Sequence, residues 1–107
     1  MSKYFQSIKE NMSVDFLAKL DEARSYAEIP FIINSAYRSP EHPLSIKNPT
    51  SSHIKGLAVD ISAKHSRERF LILDALLAVG FTRIGIASTF IHVDLDFDKS
   101  QNVVWTY

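Results

Sequence analysis

Three of the four prolines, Pro40, Pro43 and Pro49, fall within residues 39–52, interleaved with Ser, Asn, Thr and His. Each pyrrolidine ring locks φ and removes a backbone donor, so neither a long helix nor a central strand can run through this stretch. It reads as a long ordered loop shaped by restricted φ, and loops of that length usually carry function. Before it, residues 13–28 place Phe16, Leu17, Leu20, Ala23 and Ala27 at helical spacing, with Ser13 positioned to cap the first turn and Asp15 near the positive end. Pro30 stops that helix, and residues 31–37, FIINSAY, are apolar and partly β-branched, as a strand requires. After the loop, Leu57, Val59 and Ile61 alternate with Ala58, Asp60 and Ser62, the pattern of a half-buried strand. Ser66 is placed to cap a second helix running to Val79, with Phe70, Leu71, Leu73, Leu76 and Leu77 as its apolar face and Gly80 as its stop. Short strands follow at 81–86, 90–95 and 103–107, and their close spacing favours antiparallel pairing. The fold class expected is therefore α+β, two main helices with a small mixed or antiparallel sheet.

A chain of 107 residues and 12.1 kDa is expected to form a single domain over residues 1–107. At 46% hydrophobic residues it can fill a core without covalent staples. Twelve Lys plus Arg balance twelve Asp plus Glu, which argues against partners recognised chiefly by charge, such as duplex nucleic acid or an anionic membrane. With no cysteine there is no disulfide, no thiolate nucleophile and no thiolate zinc site, so any metal must be held by His and carboxylate. The opening MSKYFQSIKENMSVDF is polar and charged rather than a basic tip followed by an apolar run. We therefore expect no secretory signal and no membrane insertion, and a monomer made in the cytoplasm.

Two of the four histidines keep company with carboxylates. His53 ends the proline-bound loop, and Asp60 follows seven residues later on the polar face of a strand, with Gly56 and Ala58 leaving the space between them open. In the segment 90–96, Ile91, Val93 and Leu95 are expected to face the core while Phe90, His92, Asp94 and Asp96 face the other way. Two imidazoles and a carboxylate from separate elements, His53, Asp60 and His92, form a three-donor set of the kind that leaves a coordination position open, as in catalytic zinc sites. Spacing alone is equally compatible with three unconnected polar residues and no metal. His92-x-Asp94 also fits a two-His, one-carboxylate iron triad superficially, but no histidine follows residue 92 to supply the distal ligand. His42, in the loop, and His65, ahead of the second helix, read as surface residues, with lining the cleft as the alternative for His42. Trp105 and Tyr107 read as packing for a last strand, with stacking on a sugar as the alternative.

The run Ser51-Ser52-His53-Ile54-Lys55-Gly56-Leu57-Ala58-Val59-Asp60 matches S-x-H-x-x-G-x-A-x-D, preceded by Ser35-Ala36-Tyr37-Arg38-Ser39-Pro40 and followed by Ile91-His92-Val93-Asp94. Five fixed positions recur by chance in a chain of this length with probability on the order of 10⁻⁵ to 10⁻⁴ from average residue usage. Together these motifs resemble peptidase family M15, the zinc D-alanyl-D-alanine carboxypeptidases, and its short members common in phages and bacteria. The resemblance spans about residues 13 to 95. It implies Zn²⁺ held by His53, Asp60 and His92, and a substrate of peptidoglycan stem peptide or a related D-amino-acid peptide. It places Arg38 near the substrate carbonyl or carboxylate, where a guanidinium can bind bidentately or donate to a developing negative charge. Pairing with an acid such as Glu41 is the alternative for Arg38. Ser51, two places before the first ligand, is implied to orient the site and substrate, with a loop-capping hydroxyl as the alternative.

One departure matters. Many members carry Glu or Asp three residues before the last His as general base, and here that residue is Thr89, which cannot take a proton at neutral pH. Asp94, two residues along the strand from His92, is the best substitute as the catalytic base, and orienting a ligand histidine is its equal alternative. Two functions follow as expectations. One is a zinc metallopeptidase in which the ion polarises the scissile carbonyl and acidifies a water while Asp94 accepts the proton, working at the bacterial cell wall as a phage lysis or virion protein or as a bacterial enzyme. The other is a catalytically silent module that keeps zinc for stability or cell-wall binding.

Overall fold

The computed structural model describes residues 2–107 and holds nine elements. They run as a 3₁₀ turn (Gln6–Ile8), α1 (Val14–Ala27), β1 (Ile33–Ser35), α2 (Pro43–Lys47), β2 (Ala58–Ser62), α3 (Ser66–Ala78), β3 (Arg83–Ile86), β4 (Phe90–Asp94) and β5 (Val103–Thr106). The five strands make one mixed sheet in the order β1-β2-β4-β3-β5, so the fold is α+β as the pattern requires.

The first helix forms as its sequence dictates. The Ser13 hydroxyl accepts from the Phe16 backbone N–H, Asp15 sits in the first turn, and Phe16, Leu17, Leu20, Ala23 and Ala27 are buried. Glu28 ends it in the left-handed region at φ 58°, two residues before Pro30. The strand after it, Ile33–Ser35, is shorter than the apolar run, and its register on β2 shifts between Ile33 and Ser35.

Four expectations need correction. The proline-bound stretch is not loop throughout: Pro43 occupies the first turn of α2, where its missing N–H costs nothing, and the His42 ring caps that turn by accepting from Leu44 N–H. The N-cap of α3 is His65 rather than Ser66, and it makes no side-chain cap bond. Phe70 and Leu77, read as core, are 67% and 52% exposed, while Ile72, Ala75 and Leu76 form the buried stripe. Finally β5 does not pair antiparallel with its chain neighbour. It crosses past β4 and lies parallel to β3, with Gly85 opposite Trp105.

The sheet has two unlike faces. Val59, Ile61, Ile84, Ile91 and Val93 turn to one side and pack with Phe16 and Leu20 of α1 and Ile72 and Leu76 of α3 in one core. Burying each such side chain stabilises the fold by roughly 1.5–3 kcal/mol. Strand periodicity then forces the alternate residues, Asp60, Arg83, Gly85, His92, Asp94 and Trp105, onto the opposite face. That face is the floor of a cleft of about 370 Å³.

Candidate metal centre

Three elements deliver the central donors. β2 and β4 are antiparallel neighbours in which Asp60 stands directly opposite His92, so residues 32 apart in sequence share one rung. His53 arrives from the loop above them. That loop turns through Gly56 at φ +69°, where an added Cβ would lie 2.0 Å from the Asn11 carbonyl oxygen, so only glycine fits. Gly56 C=O accepts from Ser13 N–H and His53 C=O accepts from Arg38 N–H, tying the loop to the start of α1 and to the segment after β1. The Ser51 hydroxyl accepts from His53 N–H, and the Ser52 hydroxyl donates to Asp96 at 2.8 Å.

The two imidazoles are 4% and 8% exposed, and their ring centroids lie 5.2 Å apart. His53 Nδ1 is 2.8 Å from the Ala36 carbonyl oxygen, which can only accept. Nδ1 therefore carries a proton, which leaves Nε2 as the nitrogen turned to Asp60 Oδ1, 3.3 Å away. A proton or a cation can bridge that nitrogen and the carboxylate oxygen. His92 is held from both sides, with Nδ1 3.0 Å from the same Asp60 oxygen and Nε2 2.7 Å from Asp94 Oδ2.

The charges follow from these contacts. Burial alone would raise the Asp60 carboxyl, but hydrogen bonds from His53 and His92 outweigh it and hold the group at about 2. Burial would likewise lower His92, yet the carboxylates of Asp60 and Asp94 raise it. Asp94 is also held down, burial being overcome by His92 and the Arg83 guanidinium. One donor atom from each of His53, Asp60 and His92 lies within 4.8 Å of the others, so the group could hold a metal ion. Two imidazole nitrogens and a carboxylate oxygen suit zinc, and three protein donors leave a position for a further ligand.

The remaining residues singled out from sequence occupy defined places. Arg38 lines the cleft, its Nη2 donates to the Ser35 hydroxyl at 3.2 Å, and among the described residues it forms no ion pair with Glu41 or any other acid. Ser51 is buried at the cleft wall. Asp94 is buried against His92, and Arg83 Nε donates to its Oδ1 at 2.7 Å. Thr89 is exposed, while His42 caps α2 and His65 lies on the surface.

Sequence reasoning missed three contributors. Arg83 belongs to the polar face of β3, a signal present in its alternation with Ile84 and Ile86, but its pairing with Asp94 depends on β3 lying beside β4. Trp105 lines the cleft instead of merely packing a strand, with its ring 5.5 Å from that of His92. Asp96, on the same alternation as His92 and Asp94, holds Ser52 and Lys55 and so anchors the loop that carries His53.

Among the described residues, no helix is long and apolar enough to cross a membrane. Comparison with curated proteins and with solved structures gives no match. The family model described as Peptidase M15 matches residues 2–94, a span that includes Arg38, Ser51, His53, Asp60, His92 and Asp94. With that match extending over most of its length, the chain belongs to the peptidase M15 family.

Proposed function

We propose that the chain, as one metallopeptidase domain over residues 1–107, is a zinc-dependent peptidase that hydrolyses peptidoglycan stem peptides. The observation that carries this reading is the convergence of His53 Nε2 and His92 Nδ1 on one Asp60 oxygen, at 3.3 and 3.0 Å, with one donor atom from each residue within 4.8 Å of the others. A cluster of two imidazoles and a carboxylate converging in this way suits a cation, and His53, Asp60 and His92 would hold it. Zinc bound there supplies Lewis acidity toward a scissile carbonyl and acidifies a water for attack.

The chain's own groups do the rest. Arg38 has its guanidinium in the cleft without an acidic partner among the described residues, so it is available for a substrate carboxylate. That carboxylate is the terminus of a D-Ala-D-Ala end in a carboxypeptidase reaction, or a free carboxylate on D-glutamate in an L-Ala-D-Glu endopeptidase reaction. Ser51 supports the site through the His53 backbone rather than by a bond to the ring. Peptidoglycan as substrate puts the site of action at the bacterial cell wall, consistent with a phage lysis or virion protein.

A specific observation favours a second reading. The acids lining the cleft are Asp60 and Asp94. Asp94 Oδ1 accepts from Arg83 Nε and Asp96 N–H, and its Oδ2 faces His92 Nε2, contacts that favour orienting the histidine over serving as catalytic base. With Thr89 in place of a base, a zinc-bearing module that binds the cell wall without cutting it is the alternative. Incubating defined stem peptides with zinc-loaded protein, and reading the products by mass spectrometry, separates the two. New termini, lost in His53→Ala together with the metal, support the peptidase; bound zinc with intact peptides supports the module; and a chain that takes up no zinc overturns both.

A further inference from the structure

His92 is the one member of the triad whose two ring nitrogens both face carboxylates, so its orientation must be decided by something outside the triad. Its Nε2 lies 2.7 Å from Asp94 Oδ2, and the other oxygen of Asp94 accepts from Arg83 Nε, also at 2.7 Å. Arg83 is itself fixed on three sides. Its Nη1 donates to the Ser100 carbonyl at 2.6 Å, its guanidinium carbon lies 4.9 Å from the Trp105 ring centroid, and its side chain is 11% exposed. Trp105 can lie there because Gly85 has no side chain: a Cβ on that residue would come within 2.5 Å of the indole Nε1. A continuous run of contacts thus leads from β5 through Arg83 and Asp94 to His92. Ser100 and Trp105 stand beyond residue 94, where the family match ends.

We propose that Arg83 is a positioning residue of the metal centre, acting through Asp94 to hold the His92 ring so that Nδ1 is the atom presented beside Asp60 and His53. The inference rests on the reading of the triad as a zinc site. Its physical basis is that an ionised Asp94 accepts the Nε2 proton and so leaves the lone pair on Nδ1, while the fork of Arg83, tied to Asp94 and Ser100, prevents the carboxylate from turning away. Without Arg83, Asp94 Oδ1 keeps only the longer contact from Asp96 N–H, at 3.2 Å, so the carboxylate is held less firmly and the imidazole can flip to present Nε2 instead. Lysine can keep the charge at this position but not the fork, so it should restore part of the effect.

The test is zinc affinity, measured by competition with a chromophoric chelator, together with ¹⁵N NMR of the histidine rings in the zinc-loaded protein. Wild type should coordinate through Nδ1 of His92. Arg83→Gln should bind zinc roughly 10–100-fold more weakly, the range typical of partners that support ligand histidines, and should show Nε2-coordinated or mixed His92 signals. Arg83→Lys should fall between the two. Asp94→Asn should give the same ring signature and serves as the second variant if Arg83→Gln does not fold. Binding within twofold of wild type with His92 still coordinating through Nδ1, in whichever of these two variants folds, overturns the positioning role and leaves the zinc reading intact. A wild-type chain that binds no zinc overturns the zinc reading itself.

Discussion

Asp96 shapes the centre without lying in it. Its carboxylate is 1% exposed and accepts from the Ser52 hydroxyl and from Lys55 Nζ, both on the loop that carries His53. Burial would raise this group, but those two hydrogen bonds hold it below the usual carboxylate range. A depressed carboxyl contributes stability that is present above the ordinary value near 4 and is lost as the pH falls through the lower folded value. Asp96→Asn should therefore cost about 1–3 kcal/mol at pH 7, the loss expected when buried partners are left unmatched. Urea unfolding at pH 7 and at pH 3 checks this, and the gap between the two proteins should narrow at the lower pH. The three residues that could hold a metal were legible because each stands in a short local pattern: the histidine after a rigid loop, and the acid and second histidine on strand faces. Arg83 and Asp96 were not, because what they do is defined by partners 11 and 44 residues away.

Among the elements, α1 and β2 could be read from spacing alone, since one face of each is apolar and the other polar. For α3 the same reasoning picked wrong neighbours. Its apolar residues run nearly all the way round, so periodicity cannot say which stripe meets the sheet, and Phe70 and Leu77 end up outside. Proximity in sequence also misassigned the partner of β5, because the segment after β4 crosses to the far side of β3 and parallel pairing becomes the only alignment open to it. That edge places Trp105, the single tryptophan, against His92 and over Gly85. Gly85→Ala should push the indole off the sheet, destabilise the chain by about 1–3 kcal/mol as overpacked sites do, and red-shift the tryptophan emission. Steady-state fluorescence and thermal unfolding of the variant read both effects.

At the scale of the whole molecule, one face of the sheet is committed to the helices and the other to polar chemistry, so a bound ion adds to stability without touching the core. Free zinc at a hundred times its dissociation constant should stabilise the fold by about 2.7 kcal/mol. For a chain of this size that corresponds to a rise in melting temperature of roughly 10–20 °C. Calorimetry with added zinc, and again after a chelator, should show the rise and its reversal. The pairing of Asp60 with His92 carries a kinetic corollary. Candidate donors brought together only by closure of distant strands are assembled late along the folding route, after loop-closure entropy has been overcome. The cation should then act as a clasp on the finished molecule, slowing escape from the native state in stopped-flow experiments while the speed of refolding stays nearly unchanged.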